Sequence, residues 1–147
     1  GYIVEWPAYW IAPFGCLIGH CWPVFAQFKG GKGVSNFQGT VCGTSWLLGF
    51  LPGFFYFLNL KLTKMVSLTG IIQGCIISLF FWVWAILRLA GVIPADIALL
   101  PSYGPTLEIN WVAAIVVTLM AGIMIWRHHE NIARIKAGTE RKITWMK

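Results

Sequence analysis

Three short polar stretches could do chemistry in a chain that is otherwise strongly apolar. The first runs from His20 to Gly33 and ends in Gly30-Gly31-Lys32-Gly33. Glycines let backbone amides come close to a ligand and the lysine adds a point charge, so this loop suits an anion such as a phosphate. It is not a Walker loop, because the GxxxxGK[ST] spacing is absent. A basic turn that only fixes membrane topology accounts for the tetrapeptide as well. The second stretch holds Lys64 and Ser67. Ser67 is either a hydrogen-bond donor to a phosphate or acyl oxygen, or the cap of a helix start. The third stretch runs from Arg127 to Lys142. His128 and Asn131 are three residues apart, which places them on one helix face, and Gly138 is set to stop that helix. Imidazole titrates near neutrality, so His128 is the general-base candidate by type. A basic interfacial helix bound to anionic lipid is the competing reading of this stretch.

The elements that carry these stretches must lie in a membrane. Of 147 residues, 58% are hydrophobic and 11% are charged, against about a quarter charged in soluble domains. The mean hydropathy is +0.72. The apolar residues come in long unbroken runs rather than in alternation, which favours helices over a β-barrel. The expectation is an all-α polytopic membrane protein, with residues 1–147 forming one membrane-embedded domain. Cys16, Cys21, Cys42 and Cys75 all fall in apolar stretches and show no CxxC or Cys/His metal spacing. They are expected to be small buried hydrophobes, with no disulfide and no metal. The chain opens Gly1-Tyr2-Ile3 without a signal-peptide pattern, which reads as a fragment or processed product.

The apolar runs are Trp6–Phe28, Val34–Leu60, Val66–Val92 and Trp111–Trp126. Four simple crossings would put the Lys29/Lys32 cluster and the Lys61/Lys64 cluster on opposite sides, against the positive-inside rule. The conflict disappears if the second run crosses twice. Pro52-Gly53 supplies a turn signal, giving short helices at about 34–50 and 54–64. Five membrane helices result, two of them short, with amphipathic helices lying on the membrane as the competing reading of the short pair. All three basic clusters and the C-terminus then lie on the cytoplasmic face, and segment 92–110, with Asp96 and Glu108, lies outside. Arg88 near the outer end of the third run can snorkel to the interface. Within the first stretch, Pro23 is expected to kink the helix end, with His20 about three helical turns before Lys32.

Taken together, the motifs resemble the bacterial acyl-phosphate-dependent glycerol-3-phosphate acyltransferases. The resemblance rests on Gly19-His20, Pro23-Val24-Phe25, Phe28 and Gly30-Gly31-Lys32-Gly33-Val34, on Val66-Ser67-Leu68, and on Arg127-His128, Asn131-Ile132, Arg134, Gly138, Glu140 and Lys142. It covers essentially the whole chain. Ser35-Asn36 stands where the family usually has Ala-Thr. The family's N-terminal motif, with its serine, arginine and asparagine-containing glycine-rich loop, has no counterpart in residues 1–19. The family fold would have seven helices, so the chain looks like its C-terminal two-thirds.

The resemblance implies a bacterial plasma-membrane enzyme that transfers a fatty acyl group from acyl phosphate to the 1-hydroxyl of glycerol 3-phosphate. The products are lysophosphatidate and phosphate. Its implied partners are those two substrates and membrane lipid, with no nucleic acid and no cofactor. Gly30, Gly31, Lys32, Gly33, Lys64 and Arg127 would bind substrate phosphate. His128, Asn131 and Ser67 would be catalytic, with His128 and Asn131 positioning the reactants. Either His128 or the departing phosphate would take the hydroxyl proton. His20 and Glu140 would be structural, Glu140 pairing with a neighbouring Arg or Lys, and His129 would face solvent. No Ser-His-Asp or Cys-His arrangement is present for an acyl-enzyme, and an acyl phosphate, as a mixed anhydride, needs none. None of the three histidines has an Asp five residues on, which excludes the His-x4-Asp acyltransferases. A non-enzymatic anion or lipid-phosphate transporter, or an inactive fragment, is the alternative.

Overall fold

The computed structural model describes residues 6–93 and 111–145. Six α-helices and one 3-10 turn make up the regular structure there. They are α1 (Trp6–Cys21), the 3-10 turn Val24–Ala26, α2 (Val34–Thr44), α3 (Trp46–Thr63), α4 (Val66–Leu89), α5 (Trp111–Arg127) and α6 (His129–Lys136). Helices therefore form in every apolar run. Asp96 and Glu108, expected outside the membrane, lie outside the described residues.

Helices α4 and α5 pack together most extensively. α1 lies on α2 and α5, α2 on α3, and α3 on α4, while α6 closes over the ends of α4 and α5. Small residues allow the close approach that helix association in lipid depends on. A Cβ on Gly74 of α4 would run into Met124 of α5. Ala85, Ala113, Ala114 and Ala121 are likewise buried, and Trp10, Leu17, Phe37, Phe81 and Met120 fill the space between them.

The outside of the bundle is as apolar as the inside. Phe50, Phe54, Phe55 and Phe57 on α3, Leu79 and Ile86 on α4, and Leu119 and Trp126 on α5 are all exposed. In water such a surface would aggregate; in a bilayer it faces hydrocarbon. Among the described residues, α4 alone is long and apolar enough to cross a membrane by itself. α5 and α6 pass the same test as one pair bent by 59°.

Three local expectations are corrected. The break in the second run falls at Ser45, and Pro52 sits inside α3. Ser45 is extended, and its Oγ accepts the Leu47 N–H at 3.3 Å to start the new helix. Gly49, which has no Cβ to strike Cys42, lets the two helices pack tightly beyond the break. The first helix stops at Cys21 rather than running on, because Pro23 disfavours helical backbone in the residue before it and lacks an N–H. Cys21 is buried and Cys42 partly so, but Cys16 and Cys75 lie exposed on the helix surfaces; all four are free thiols.

Candidate active site

After Cys21 the chain turns back on itself. The Gly31 N–H donates to the His20 carbonyl at 3.1 Å, and the His20 ring occupies the space a Gly31 side chain would need. Gly30 is equally constrained, since its missing Cβ would strike the His20 and Cys21 carbonyls and the Pro23 ring. His20 and Lys32 are thus neighbours across a folded loop rather than three turns apart along a helix. Gly33 has φ +81°, a left-handed conformation that suits glycine, and it delivers the chain into the first turn of α2. The loop therefore ends at a helix N-terminus, where free amides and the helix dipole favour an anion. His20, Lys32, Gly33, Val34 and Ser35 line one side of a cavity of about 530 Å³ at this point.

Arg127 locks the loop. Its Nη2 donates to the Gly30 carbonyl at 2.9 Å and its Nε to the Gly31 carbonyl at 3.3 Å. The guanidinium also stacks over Trp22, 5.6 Å from the ring centroid. Arg127, expected to bind substrate phosphate, holds the loop's carbonyls in this structure. Lys64 is not brought to this cavity either. It is exposed at the left-handed end of α3 (φ +55°), and its carbonyl accepts the Ile143 N–H at 2.8 Å, strapping the C-terminal segment to the α3–α4 turn.

Asn131 is the hub of the site. Its Oδ1 accepts from Lys32 Nζ at 2.5 Å. Its Nδ2 donates to Ser67 Oγ at 2.6 Å and to Glu140 Oε1 at 2.7 Å. An ammonium only donates and a carboxylate only accepts, so these partners fix which way the amide points. Glu140 completes the chain of contacts by accepting Arg134 Nε at 2.9 Å. Its side chain is 6% exposed, and its carboxyl is held at about 2, well below the ordinary 4.5. The hydrogen bonds from Asn131 and Ser67 are the largest causes; burial opposes them, and Arg134 adds to them. Ser67 does not cap α4, since Met65 takes that position without a side-chain bond.

Local sequence explains why Glu140 reaches Asn131. α6 starts with Glu130 and ends with Arg134 and Lys136, which complements its dipole. Gly138, at φ +70°, reverses the chain, and the bonds Thr139 N–H to Arg134 O and Gly138 N–H to Ile135 O form a Schellman stop. Two residues later Glu140 lies back over α6.

His128 makes the bend between α5 and α6. Its N–H turns to the Ile125 carbonyl at 2.9 Å, and its ring Nδ1 takes the vacated Met124 carbonyl at 2.7 Å. The carbonyl can only accept, so Nδ1 carries the proton and Nε2 is left as an acceptor. His128 is 2% exposed. Burial pushes its pKa below 6.5; the Met124 bond opposes this, Lys32 adds to the lowering and Glu140 opposes it. His129 is exposed, its ring on the Trp126 carbonyl.

The structure therefore brings His20, Gly30, Gly31, Lys32, Gly33, Ser67, Arg127, His128, Asn131 and Glu140 to one end of the bundle and leaves Lys64 at its edge. Two buried or half-buried glutamines, Gln38 and Gln73, and Tyr56 also face the Lys32 cavity. Amides inside long apolar runs are the signal that marks the glutamines in the sequence. Gln73 and Tyr56 also line a second, apolar cavity of about 430 Å³ between α2, α3 and α4, which extends to Phe80 and Trp84.

Residues 2–138 match the family described as "Glycerol-3-phosphate acyltransferase". Proteins named glycerol-3-phosphate acyltransferase from Dinoroseobacter shibae and Listeria monocytogenes serotype 4a are 31% and 34% identical over 134 and 133 residues, covering 90% and 88% of this chain. The chain spans about half the length of the curated relatives it matches, 54% in both cases. The fold is similar to crystal structures of PlsY (YgiH), an integral membrane glycerol 3-phosphate acyltransferase, in its lysophosphatidic acid and glycerol 3-phosphate forms. The TM-score is 0.69 and the identity 25%, over 92% of this chain and 59% and 57% of those chains. With the family pattern matched across residues 2–138 and both relatives above 30% identity, the chain belongs to the glycerol-3-phosphate acyltransferase family.

Proposed function

We propose that this chain carries the acyl-transfer site of a membrane enzyme that moves a fatty acyl group from acyl phosphate to the 1-hydroxyl of glycerol 3-phosphate. The observation that carries this reading is the Lys32–Asn131–Ser67/Glu140 cluster beside a cavity at the N-terminus of α2. Lys32 and the amides of the loop and first turn hold the phosphate of glycerol 3-phosphate. Arg127 supports them by fixing the loop's carbonyls away from the anion. The acyl chain lies in the apolar cavity, which adjoins the Lys32 cavity at Tyr56 and Gln73.

The 1-hydroxyl oxygen attacks the acyl carbonyl, the bond from acyl carbon to phosphate oxygen breaks, and phosphate departs. The hydroxyl proton leaves with the phosphate or passes to His128, whose pKa burial lowers from 6.5 and whose Nε2 is an acceptor. Donors fixed before the reaction stabilise the charge on the carbonyl oxygen and the leaving group. The three basic segments face the cytoplasm, where glycerol 3-phosphate is available, in the plasma membrane of a bacterium.

The test is direct. The chain in detergent or lipid cubic phase receives acyl phosphate and glycerol 3-phosphate, and phosphate release and lysophosphatidate are followed, with Lys32→Ala alongside. Product that Lys32→Ala removes supports the proposal. A chain that moves labelled glycerol 3-phosphate across a vesicle without making an ester overturns it in favour of transport.

A further inference from the structure

Gln38 of α2 and Gln73 of α4 meet where the Lys32 cavity adjoins the apolar one. Gln73 Nε2 donates to Gln38 Oε1 at 2.6 Å and to the Pro52 carbonyl at 3.1 Å. Gln38 Nε2 donates to the Gly49 carbonyl at 3.4 Å. The two backbone carbonyls only accept, so both amides have one orientation. The bridge ties α2, α3 and α4 together. Placing an amide pair among apolar helices is costly unless it is hydrogen-bonded, and aliphatic side chains would pack the same helices without that cost.

The position of the pair gives it a use. On one side lie His20, Lys32 and Ser35. On the other lie Leu51, Ile76 and Trp84. Both linings are mainly apolar, but Lys32 and His20 lie on one side of the bridge only. Gln73 and Trp84 are separated along α4 by roughly 16 Å of helix, the length of eleven residues at 1.5 Å each.

We propose that the Gln38–Gln73 bridge is a specificity-determining pair that sets the register of the acyl chain, marking the neck where the apolar tail must end and the carbonyl begin. The proposal rests on the acyltransferase reading above. A tail too long for the apolar cavity would have to push methylenes past the amides toward Lys32, which strips the amides of polar surroundings. The bridge resists that movement, so the carbonyl stops on the Lys32 side whatever the tail does beyond Trp84.

The experiment uses the chain in nanodiscs with alkyl phosphonates of increasing length, which bind without being transferred, and reads affinity by thermal stabilisation. The wild-type affinity should rise with length and level off. Gln73→Met keeps the side-chain length and removes the amide; it should move the plateau to longer tails and change the long-to-short affinity ratio by about tenfold, the scale of one buried polar group. Gln38→Met should do the same, and the double variant should match either single one, because the pair acts as a unit. Variants that fold and keep the wild-type ratio, with only a lower melting temperature, overturn the proposal and leave the bridge a structural tie. A wild-type chain that is not stabilised by any phosphonate overturns the acyltransferase reading itself, and the register with it.

Discussion

Lys32 Nζ and Asn131 Oδ1 meet at 2.5 Å although 99 residues separate them in the chain. One amide thus links the glycine loop to the α6 motif, and its polarity is set by a cation on one side and a carboxylate on the other. Asn131→Asp keeps the shape but turns a donor into an anion facing Glu140. Acyl transfer should fall by roughly 100-fold, the scale of a charged buried bond lost. Kinetics of the Asp variant at neutral pH test this; activity within threefold of wild type would remove Asn131 from the hub.

Arg127→Lys should separate positioning from charge. Lysine retains the positive charge but not the fork that reaches both the Gly30 and Gly31 carbonyls. The KM for glycerol 3-phosphate should rise about tenfold with a smaller change in kcat, because the loop loses its clamp. If the lysine variant has a normal KM, the clamp does not order the loop.

Two glycines should behave differently. Gly30→Ala places a Cβ against the backbone carbonyls of His20 and Cys21, which have nowhere to go, so the loop must open and activity should be lost. Gly74→Ala meets the mobile end of the Met124 side chain, and should cost only about 1 kcal/mol of stability with activity retained. Parallel thermal melts and turnover measurements distinguish the two; equal loss of activity in both would contradict it.

The pH dependence follows from Glu140 and His128. The Glu140 carboxyl is depressed from 4.5 to about 2, so its stabilisation is complete above pH 4.5 and drains away as pH falls toward 2. The His128 pKa lies below 6.5, so the unfolded chain takes up a proton first and stability declines as pH drops through that value. Glu140→Gln should flatten the acid limb of a melting-temperature profile below pH 4.5. His128→Gln should flatten the limb just below 6.5. An unchanged profile in either variant would contradict the assignment.

Helix class and membrane character were legible because length, apolar runs and sparse charge allow few alternatives. The α6 stop was legible as well, since Gly138 has one common use after a basic helical turn. The Pro52 break was misread because a proline in a helix removes one hydrogen bond locally, whereas Ser45 supplies a cap and an extended residue at the same point. The hold of Arg127 on the loop was not legible because charge alone says nothing about direction; only the folded loop shows that two carbonyls lie within its reach. Glu140 was expected to pair with a neighbouring base, and it does pair with Arg134, but its bond to Asn131 depends on the chain reversing at Gly138.

The hub at Asn131 also has a consequence for biosynthesis. At about 5 to 20 residues per second, the ribosome needs roughly 5 to 20 s to travel from Lys32 to Asn131. For that interval the nascent chain holds the glycine loop and its lysine, joined about a third of the way through by Ser67, with none of their α6 partners made. Completion of the site is therefore a late step in membrane insertion, and a translation product stopped after Arg127 would have the loop clamp but no hub to close it.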